Sequence, residues 1–269
     1  MGPRHDACTD DAVMSRSVRL GNAFGVEIAV DSSWVFALIL ATWTLVTVAG
    51  HALPTASSAV VTLVGAGAAI GVFASLAVHE IAHGLAVRAC GVPVHRLTLF
   101  VFGGITDVER APASPRSETF GAIVAPLSNA IVGGVLLAGA AAFGDTPGAL
   151  PLLVRWLGAA NLAIAALNVI PAFPLDGGRL VRAAIWRATG DMERATRWSA
   201  WVGETIGWSL VVAGVVLAFV SHGDRVAAAM WIAFVGWFLT SAAAQAYAGV
   251  VRADAGLAGA RWHPEALER

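Results

Sequence analysis

Charge is scarce in this chain, and one basic residue type is missing from it. Asp, Glu, Lys and Arg make up 13% of the 269 residues, about half the share that soluble globular domains carry. Hydrophobic residues reach 57%. All 17 basic residues are Arg, because the chain contains no Lys. This imbalance excludes an ordinary soluble domain and indicates a protein that lies in a membrane.

Cysteine is nearly absent as well. Cys8 and Cys90 are the only two in the chain, which is too few for a disulfide framework or a thiolate metal site. The first 31 residues are polar and lack the apolar core of a cleavable signal peptide, so we expect the first apolar segment to be retained. The chain shows no internal repeat, no low-complexity tract and no stretch long enough for a separate soluble domain.

Long apolar segments are what the chain has instead. A helix of about 20 apolar residues crosses a hydrocarbon core about 30 Å thick, and six segments approach or exceed this length: 33–50, 59–87, 119–143, 151–171, 200–220 and 226–250. They predict an all-α polytopic fold with about six transmembrane helices. Arg residues concentrate before the first segment, after the second, after the fourth and after the sixth. The positive-inside rule therefore predicts that both termini are cytoplasmic.

The second apolar segment contains a pattern typical of a metal site. His79, Glu80 and His83 form the pattern HExxH. On a helix, residues four apart lie on one face, so both imidazoles can reach one metal ion with Glu80 beside it. Ionisable residues are costly inside a membrane unless they bind something or face water. The pattern therefore predicts a site for one zinc ion, although two histidines can also pack against each other in a helical bundle.

A third metal ligand is expected from another apolar segment. Asp176 lies in NVIPAFPLDGGR at the end of the fourth segment, where two prolines interrupt the helix and Gly177 and Gly178 allow a tight turn. The Arg distribution predicts that His83 and Asp176 both lie towards the cytoplasmic side. Two imidazoles and a carboxylate would leave a fourth zinc position for water. The alternative for this stretch is an ordinary polar turn at the end of a helix.

A short stretch after the second segment has a different pattern. Residues 92–108 alternate partly with period two and contain Gly103 and Gly104, which predicts a short β-hairpin. We expect this hairpin to associate with the membrane. A plain cytoplasmic hairpin would have the same pattern.

These motifs resemble those of the site-2 protease family (M50) of intramembrane zinc metalloproteases. HEIAH at 79–83 is similar to the first signature of that family, and NVIPAFPLDGG at 168–178 is similar to the second. The resemblance extends from about residue 21 to about residue 187. The chain has room for neither an inserted PDZ domain nor appended CBS modules, so it resembles the short bacterial type that lacks both.

The resemblance implies roles for individual residues. His79, His83 and Asp176 would ligate zinc, and Glu80 would act as the general base. Asn168 opens the second signature and implies a contact with the substrate backbone or the oxyanion.

The resemblance also implies contacts with the substrate for three further residues. Asn129 lies in APLSN, which is similar to the family segment GPxxN except that Ala125 replaces the Gly. Gly103 and Gly104 lie in the hairpin, which resembles the family's membrane-dipping β-segment, whose edge can receive an unwound substrate by strand addition. Either asparagine could instead join two helices by hydrogen bonds.

The function implied is hydrolysis of peptide bonds in membrane-anchored proteins within the lipid bilayer. We expect a cytoplasmic segment over 1–32, a six-helix protease domain over 33–251 and a short cytoplasmic tail over 252–269, in a multi-pass protein of the plasma membrane. A regulatory membrane partner is compatible with the sequence, whereas no nucleic-acid partner is expected. Two alternatives are a metal or ion transporter and a catalytically silent relative that binds membrane clients.

Overall fold

The fold is predominantly helical with one small sheet. The computed structural model describes residues 17–23, 25–100, 103–108, 114–144, 146–222 and 224–261. In chain order the elements are β1 (Ser17–Ala23), β2 (Val26–Asp31), α1 (Ser32–Ala52), α2 (Ser58–Ala89), β3 (Val94–Phe100), β4 (Gly103–Val108), α3 (Pro115–Ala141), α4 (Ala149–Val169), α5 (Asp176–Thr189), α6 (Met192–Val220) and α7 (Asp224–Arg261).

Six of these helices are long and apolar enough to cross a membrane. They are α1, α2, α3, α4, α6 and the Ala228–Gln245 part of α7, which confirms the predicted all-α polytopic class with six spans. The chain is a multi-pass membrane protein. Helix α5 was not predicted, because its 14 residues are amphipathic and too few to span a bilayer. Helix α7 continues to Arg261, past the end of the predicted sixth segment.

The described residues fall into two compact units. The first draws its residues from 1–113 and 123–166, and the second from 114–122 and 167–269. Helices α3 and α4 contribute residues to both.

The sheet belongs to the first unit. Its strand order is β1-β2-β3-β4, with β2 and β3 parallel and the two outer pairs antiparallel. The predicted hairpin over 92–108 is confirmed as β3 and β4. Strands β1 and β2 were not predicted. In β2, Val26, Ala29 and Val30 are buried and Ile28 is half-buried, so both faces of this strand are at least partly covered.

The buried face of the sheet packs beside the HExxH turn of α2. Its core consists of Val26, Val30, Val94, Leu97 and Leu99, and Ala77 and Val87 are among the residues that pack against it. The backbone of α2 comes close to the sheet at Gly84, where an added Cβ would lie 3.7 Å from Leu97 Cδ1. The sheet therefore supports α2 on both sides of the HExxH pattern.

Small residues set the helix contacts within each unit. In the first unit, a Cβ on Gly65 would lie 2.4 Å from Val46 Cα of α1, and one on Gly133 would lie 2.9 Å from the Gly158 carbonyl oxygen of α4. In the second unit, a Cβ on Gly214 would lie 2.4 Å from the Ala233 nitrogen of α7. Helices in a membrane associate through such close backbone packing, because lipid offers no hydrophobic driving force between them.

Candidate metal centre

The two predicted histidine ligands lie on one buried face of α2. His79 is 4% exposed and His83 is 7% exposed, and their ring centroids are 5.0 Å apart. Glu80 lies between them in sequence and is half-buried. The four-residue spacing thus brings two imidazoles together, as the helical period requires.

His79 is held from a neighbouring helix by a side-chain amide. Its Nδ1 lies 2.7 Å from Oδ1 of Asn129 on α3. An amide oxygen only accepts hydrogen bonds, so Nδ1 carries the proton and donates it. The other ring nitrogen, Nε2, then has its lone pair free for a metal. Asn129 is completely buried.

Asp176 is the first residue of α5 and is 4% exposed. Its Oδ1 lies 3.6 Å from Nη1 of Arg179, one turn further along the helix. Gly177 and Gly178 were expected to form a tight turn, but they lie within the first turn of α5. A Cβ on Gly177 would lie 2.2 Å from the Ile170 carbonyl oxygen, and one on Gly178 would lie 2.5 Å from the Phe173 nitrogen. The glycines therefore permit the preceding loop to fold directly against the helix that carries Asp176.

A buried ion pair anchors α5 in the same unit. Arg182 pairs with Glu118 at the start of α3, and the Glu118 side chain has no exposed surface. The Arg182 guanidinium also lies over the ring of Phe173, 5.1 Å from its centroid. Burial of both charges is tolerable only because they are paired.

Three buried side chains supply groups that can bind a metal ion. His79 and His83 lie together on α2 in the first unit, and Asp176 lies at the start of α5 in the second unit. Two imidazole nitrogens and one carboxylate oxygen are a donor set that zinc accepts, with a fourth position available for water. The residues present thus fit a zinc ion.

Comparison with known proteins agrees with this chemistry. Residues 145–212, which include Asp176, match the model of Peptidase family M50. The candidate zinc metalloprotease Rip3 of Mycobacterium tuberculosis is 34% identical over 253 residues, which is 90% of this chain. The candidate zinc metalloprotease sll0528 of Synechocystis is 31% identical over 84% of this chain.

The relatives named above are longer than this chain. The chain spans 64% of the length of Rip3 and 58% of the length of sll0528. Among solved structures, the site-2 protease from Methanocaldococcus jannaschii matches with a TM-score of 0.57 at 23% identity, covering 86% of this chain and 95% of that one. This chain therefore shares the site-2 protease fold.

The remaining predicted residues lie outside the metal-ligand group. Asn168 is half-buried in the last turn of α4. Gly103 and Gly104 are the first two residues of β4, where they pair with Phe100 and Leu99 of β3. A substrate-side role for these three residues, and for Asn129, stays a prediction.

Sequence reasoning missed several polar residues that the structure buries. Asn161 is completely buried in the middle of α4, and Ser75 is buried one turn before His79. An amide in the middle of an apolar segment is costly unless it forms hydrogen bonds. The position of Asn161 in the sequence therefore indicated a hydrogen-bonding role. Glu118 and Arg182 looked like ordinary charges at segment ends, and nothing in the sequence indicated their pairing.

Proposed function

We propose that this chain is an intramembrane zinc metalloprotease that hydrolyses peptide bonds of membrane-anchored proteins. The observation that carries the proposal is the pair of buried imidazoles that the HExxH pattern brings together on α2, a helix of membrane-spanning length. The buried carboxylate of Asp176 would be the third donor. The match of residues 145–212 to Peptidase family M50 and the names of the zinc metalloprotease relatives support the same chemistry. His79, His83 and Asp176 would hold one zinc ion, and Glu80 would act as general base.

A bound zinc ion and Glu80 would have separate roles in the reaction. A bound zinc ion supplies Lewis acidity, which polarises a carbonyl and lowers the pKa of water. Glu80 accepts a proton from the attacking water as the new C–O bond forms. It then donates that proton to the amine nitrogen as the C–N bond breaks. The half-buried position of Glu80 suits a group that must meet both water and substrate.

Substrate would bind as an extended segment. A transmembrane helix hides its carbonyl groups in backbone hydrogen bonds, so it must unwind before hydrolysis. Strand β4, with Gly103 and Gly104 at its start, lies at one edge of the four-stranded sheet, and such an edge can accept an added strand. We propose that this edge and Asn168 contact the unwound segment.

The orientation in the membrane follows from the Arg distribution. We propose that both termini are cytoplasmic, in the plasma membrane, with the protease domain over 33–251 and cytoplasmic segments on either side. Water for hydrolysis would then enter from the cytoplasmic side, since Arg88 follows His83 by about one and a half turns of helix.

The Glu80→Gln variant tests the function. Gln keeps the size of the side chain but cannot accept a proton, so zinc content should equal that of wild type while cleavage of single-span reporter proteins in liposomes falls by about a hundredfold or more. Glu193→Gln is the matched control, because Glu193 is exposed on α6, and it should cleave normally. Full cleavage by Glu80→Gln would contradict the proposal. Metal flux into liposomes without cleavage would favour a transporter.

A further inference from the structure

We propose that Asn129 and Asn161 are positioning residues that fix the tautomer of His79, so that Nε2 is the nitrogen available to zinc. The inference rests on the proposed function, since it takes His79 to be a zinc ligand. It gives Asn161 a role that no sequence motif assigns. It also gives Asn129 a task distinct from the substrate contact that its motif predicts.

The two asparagines form a continuous chain of hydrogen bonds inside the first unit. Asn129 Oδ1 lies 2.7 Å from His79 Nδ1, and Asn129 Nδ2 donates to Asn161 Oδ1 at 2.9 Å. Asn129 Nδ2 also approaches the Ser75 carbonyl oxygen at 3.4 Å. Both amides are completely buried. Water therefore cannot substitute for any of these contacts at low cost.

Asn161 lies farthest from His79 in this chain of hydrogen bonds, and its own partners fix the orientation of its amide. Asn161 Nδ2 donates to the Leu157 carbonyl oxygen at 2.8 Å, and a carbonyl oxygen can only accept. Asn161 Nδ2 also donates to Ser75 Oγ at 2.9 Å. The Ser75 hydroxyl donates its one proton to the Gly71 carbonyl oxygen at 2.8 Å, so it accepts from Asn161. If the Asn161 amide turned over, its oxygen would face two acceptors. Its orientation is therefore set.

The orientation of Asn161 sets the orientation of Asn129, which in turn sets the tautomer of His79. Asn161 Oδ1 faces Asn129, so Asn129 must present its Nδ2 group there and its Oδ1 to the imidazole. An oxygen acceptor at 2.7 Å requires a proton on His79 Nδ1. Backbone carbonyls on α2 and α4 thus determine which nitrogen of a histidine on α2 keeps its lone pair.

Helix packing explains why these groups meet. Gly71, Ser75 and His79 follow one another at four-residue intervals on one face of α2. A Cβ on Gly71 would lie 2.5 Å from Leu157 Cδ2, so α4 approaches α2 closely at this level. Helix α3 approaches α4 where Gly133 faces Gly158, and the asparagines lie about one turn away from that contact. The glycines at these contacts let the three helices approach closely enough for the asparagines to form their hydrogen bonds.

Zinc affinity is the readout, measured by chelator competition on the full chain in detergent. Asn129→Leu removes the acceptor for His79 and should weaken zinc binding about 10- to 100-fold, the usual effect of losing an outer partner of a metal-binding histidine. Asn161→Leu should weaken binding in the same direction by a smaller factor. Ser128→Ala is the matched control, because that hydroxyl bonds only the Ala125 carbonyl oxygen of its own helix, and its affinity should equal that of wild type.

Asn129→Asp separates positioning from a merely structural role. The carboxylate still accepts from His79 Nδ1, but it loses the donor to Asn161 and sets an oxygen against Asn161 Oδ1. The variant should therefore unfold at a lower temperature than wild type while its zinc affinity stays within a few-fold. If Asn129 merely supported the fold, affinity and stability would fall together.

Three results would overturn the inference. The first is wild-type zinc affinity in Asn129→Leu. The second is a loss of zinc affinity in Asn129→Asp as large as that in Asn129→Leu. The third is a loss of zinc affinity in Ser128→Ala as large as that in Asn129→Leu. Unchanged zinc affinity with slower turnover in Asn129→Leu would assign Asn129 to substrate instead. Absence of zinc binding by the wild-type chain would overturn the proposed function itself, and this outcome is distinct because all variants would then behave alike.

Discussion

The histidine part and the aspartate part of the candidate centre are held by different kinds of interaction. His79 is bonded to a neutral amide, and that amide is bonded to a second one. Asp176 instead has the guanidinium of Arg179 one turn away. A neutral imidazole needs a fixed tautomer to bind a metal, whereas a buried carboxylate needs positive charge nearby. Each ligand is thus accompanied by the groups that its own charge state requires.

The backbone around the two parts differs as well. Around His79, glycines sit between long helices and let them approach side by side. Around Asp176, glycines sit in the first turn of α5 and let an irregular loop fold onto it. The histidines therefore depend on helix packing, which many residues share, while the aspartate depends on a few close contacts.

Removal of the aspartate charge has the largest expected effect on zinc affinity. Asp176→Asn keeps the shape but loses the anionic oxygen, so zinc affinity should fall about a hundred- to a thousandfold, since a structural zinc site of about 10–16 kcal/mol shares its free energy among about four ligands. Chelator competition measures the change. Asp191→Asn is the control, because Asp191 is an exposed N-cap of α6, and it should bind zinc normally. Equal affinity in Asp176→Asn would show that the carboxylate is not a ligand.

Loss of the buried ion pair should have the largest effect on the free energy of unfolding. Arg182→Leu leaves Glu118 buried and uncompensated, which should lower the free energy of unfolding by about 3–5 kcal/mol. Denaturant unfolding in detergent measures it. Replacing both residues with Leu should recover much of the loss, because no buried charge then remains. If the double variant is no more stable than Arg182→Leu, the pair does not act as a unit.

An exposed ion pair offers the matched comparison for the buried one. Glu193 and Arg197 pair at 2.8 Å on the surface of α6, with exposed side-chain fractions of 41% and 59%. Because solvent screens such pairs, Glu193→Gln should leave the unfolding midpoint unchanged within error. A large effect there would mean that burial does not separate the two pairs.

Much of the fold follows from hydropathy alone. The six spans were predictable because each needs about 20 apolar residues, and no other constraint competes. Strands β1 and β2 were missed because their polar neighbours dominate residues 17–31, while their pairing with β3 is a long-range contact. Helix α5 was missed because its apolar face is short and its Arg residues resemble those of a loop.

The candidate metal ligands could be picked out from the sequence for a different reason. HExxH is a local helical pattern, and Asp176 is an acid among apolar residues, so each signal stands within a few positions of the chain. The partners that hold these ligands come from distant helices, as Asn161 does for Asn129 and Glu118 does for Arg182. One sequence carries no information on which helix faces meet, so these partners needed the structure.

A smaller effect on both zinc affinity and stability is expected at the loop that supports Asp176. Gly177→Ala places a Cβ where it would lie 2.2 Å from the Ile170 carbonyl oxygen, so the loop must move, and the free energy of unfolding should fall by about 1–3 kcal/mol. Asp176 would shift with it, which should weaken zinc binding about tenfold. Thermal unfolding and chelator competition measure the two changes.

Gly134→Ala is the control for that variant, since none of the described residues has an atom within 4 Å of a Cβ added at Gly134 on α3. Ala is the better helix former, by up to about 1 kcal/mol, so this variant should be as stable as wild type or more so, with zinc affinity unchanged. If Gly177→Ala behaved like Gly134→Ala, the loop would tolerate a side chain. The aspartate would then be held by charge alone, and the contrast between the two parts of the centre would reduce to their electrostatics.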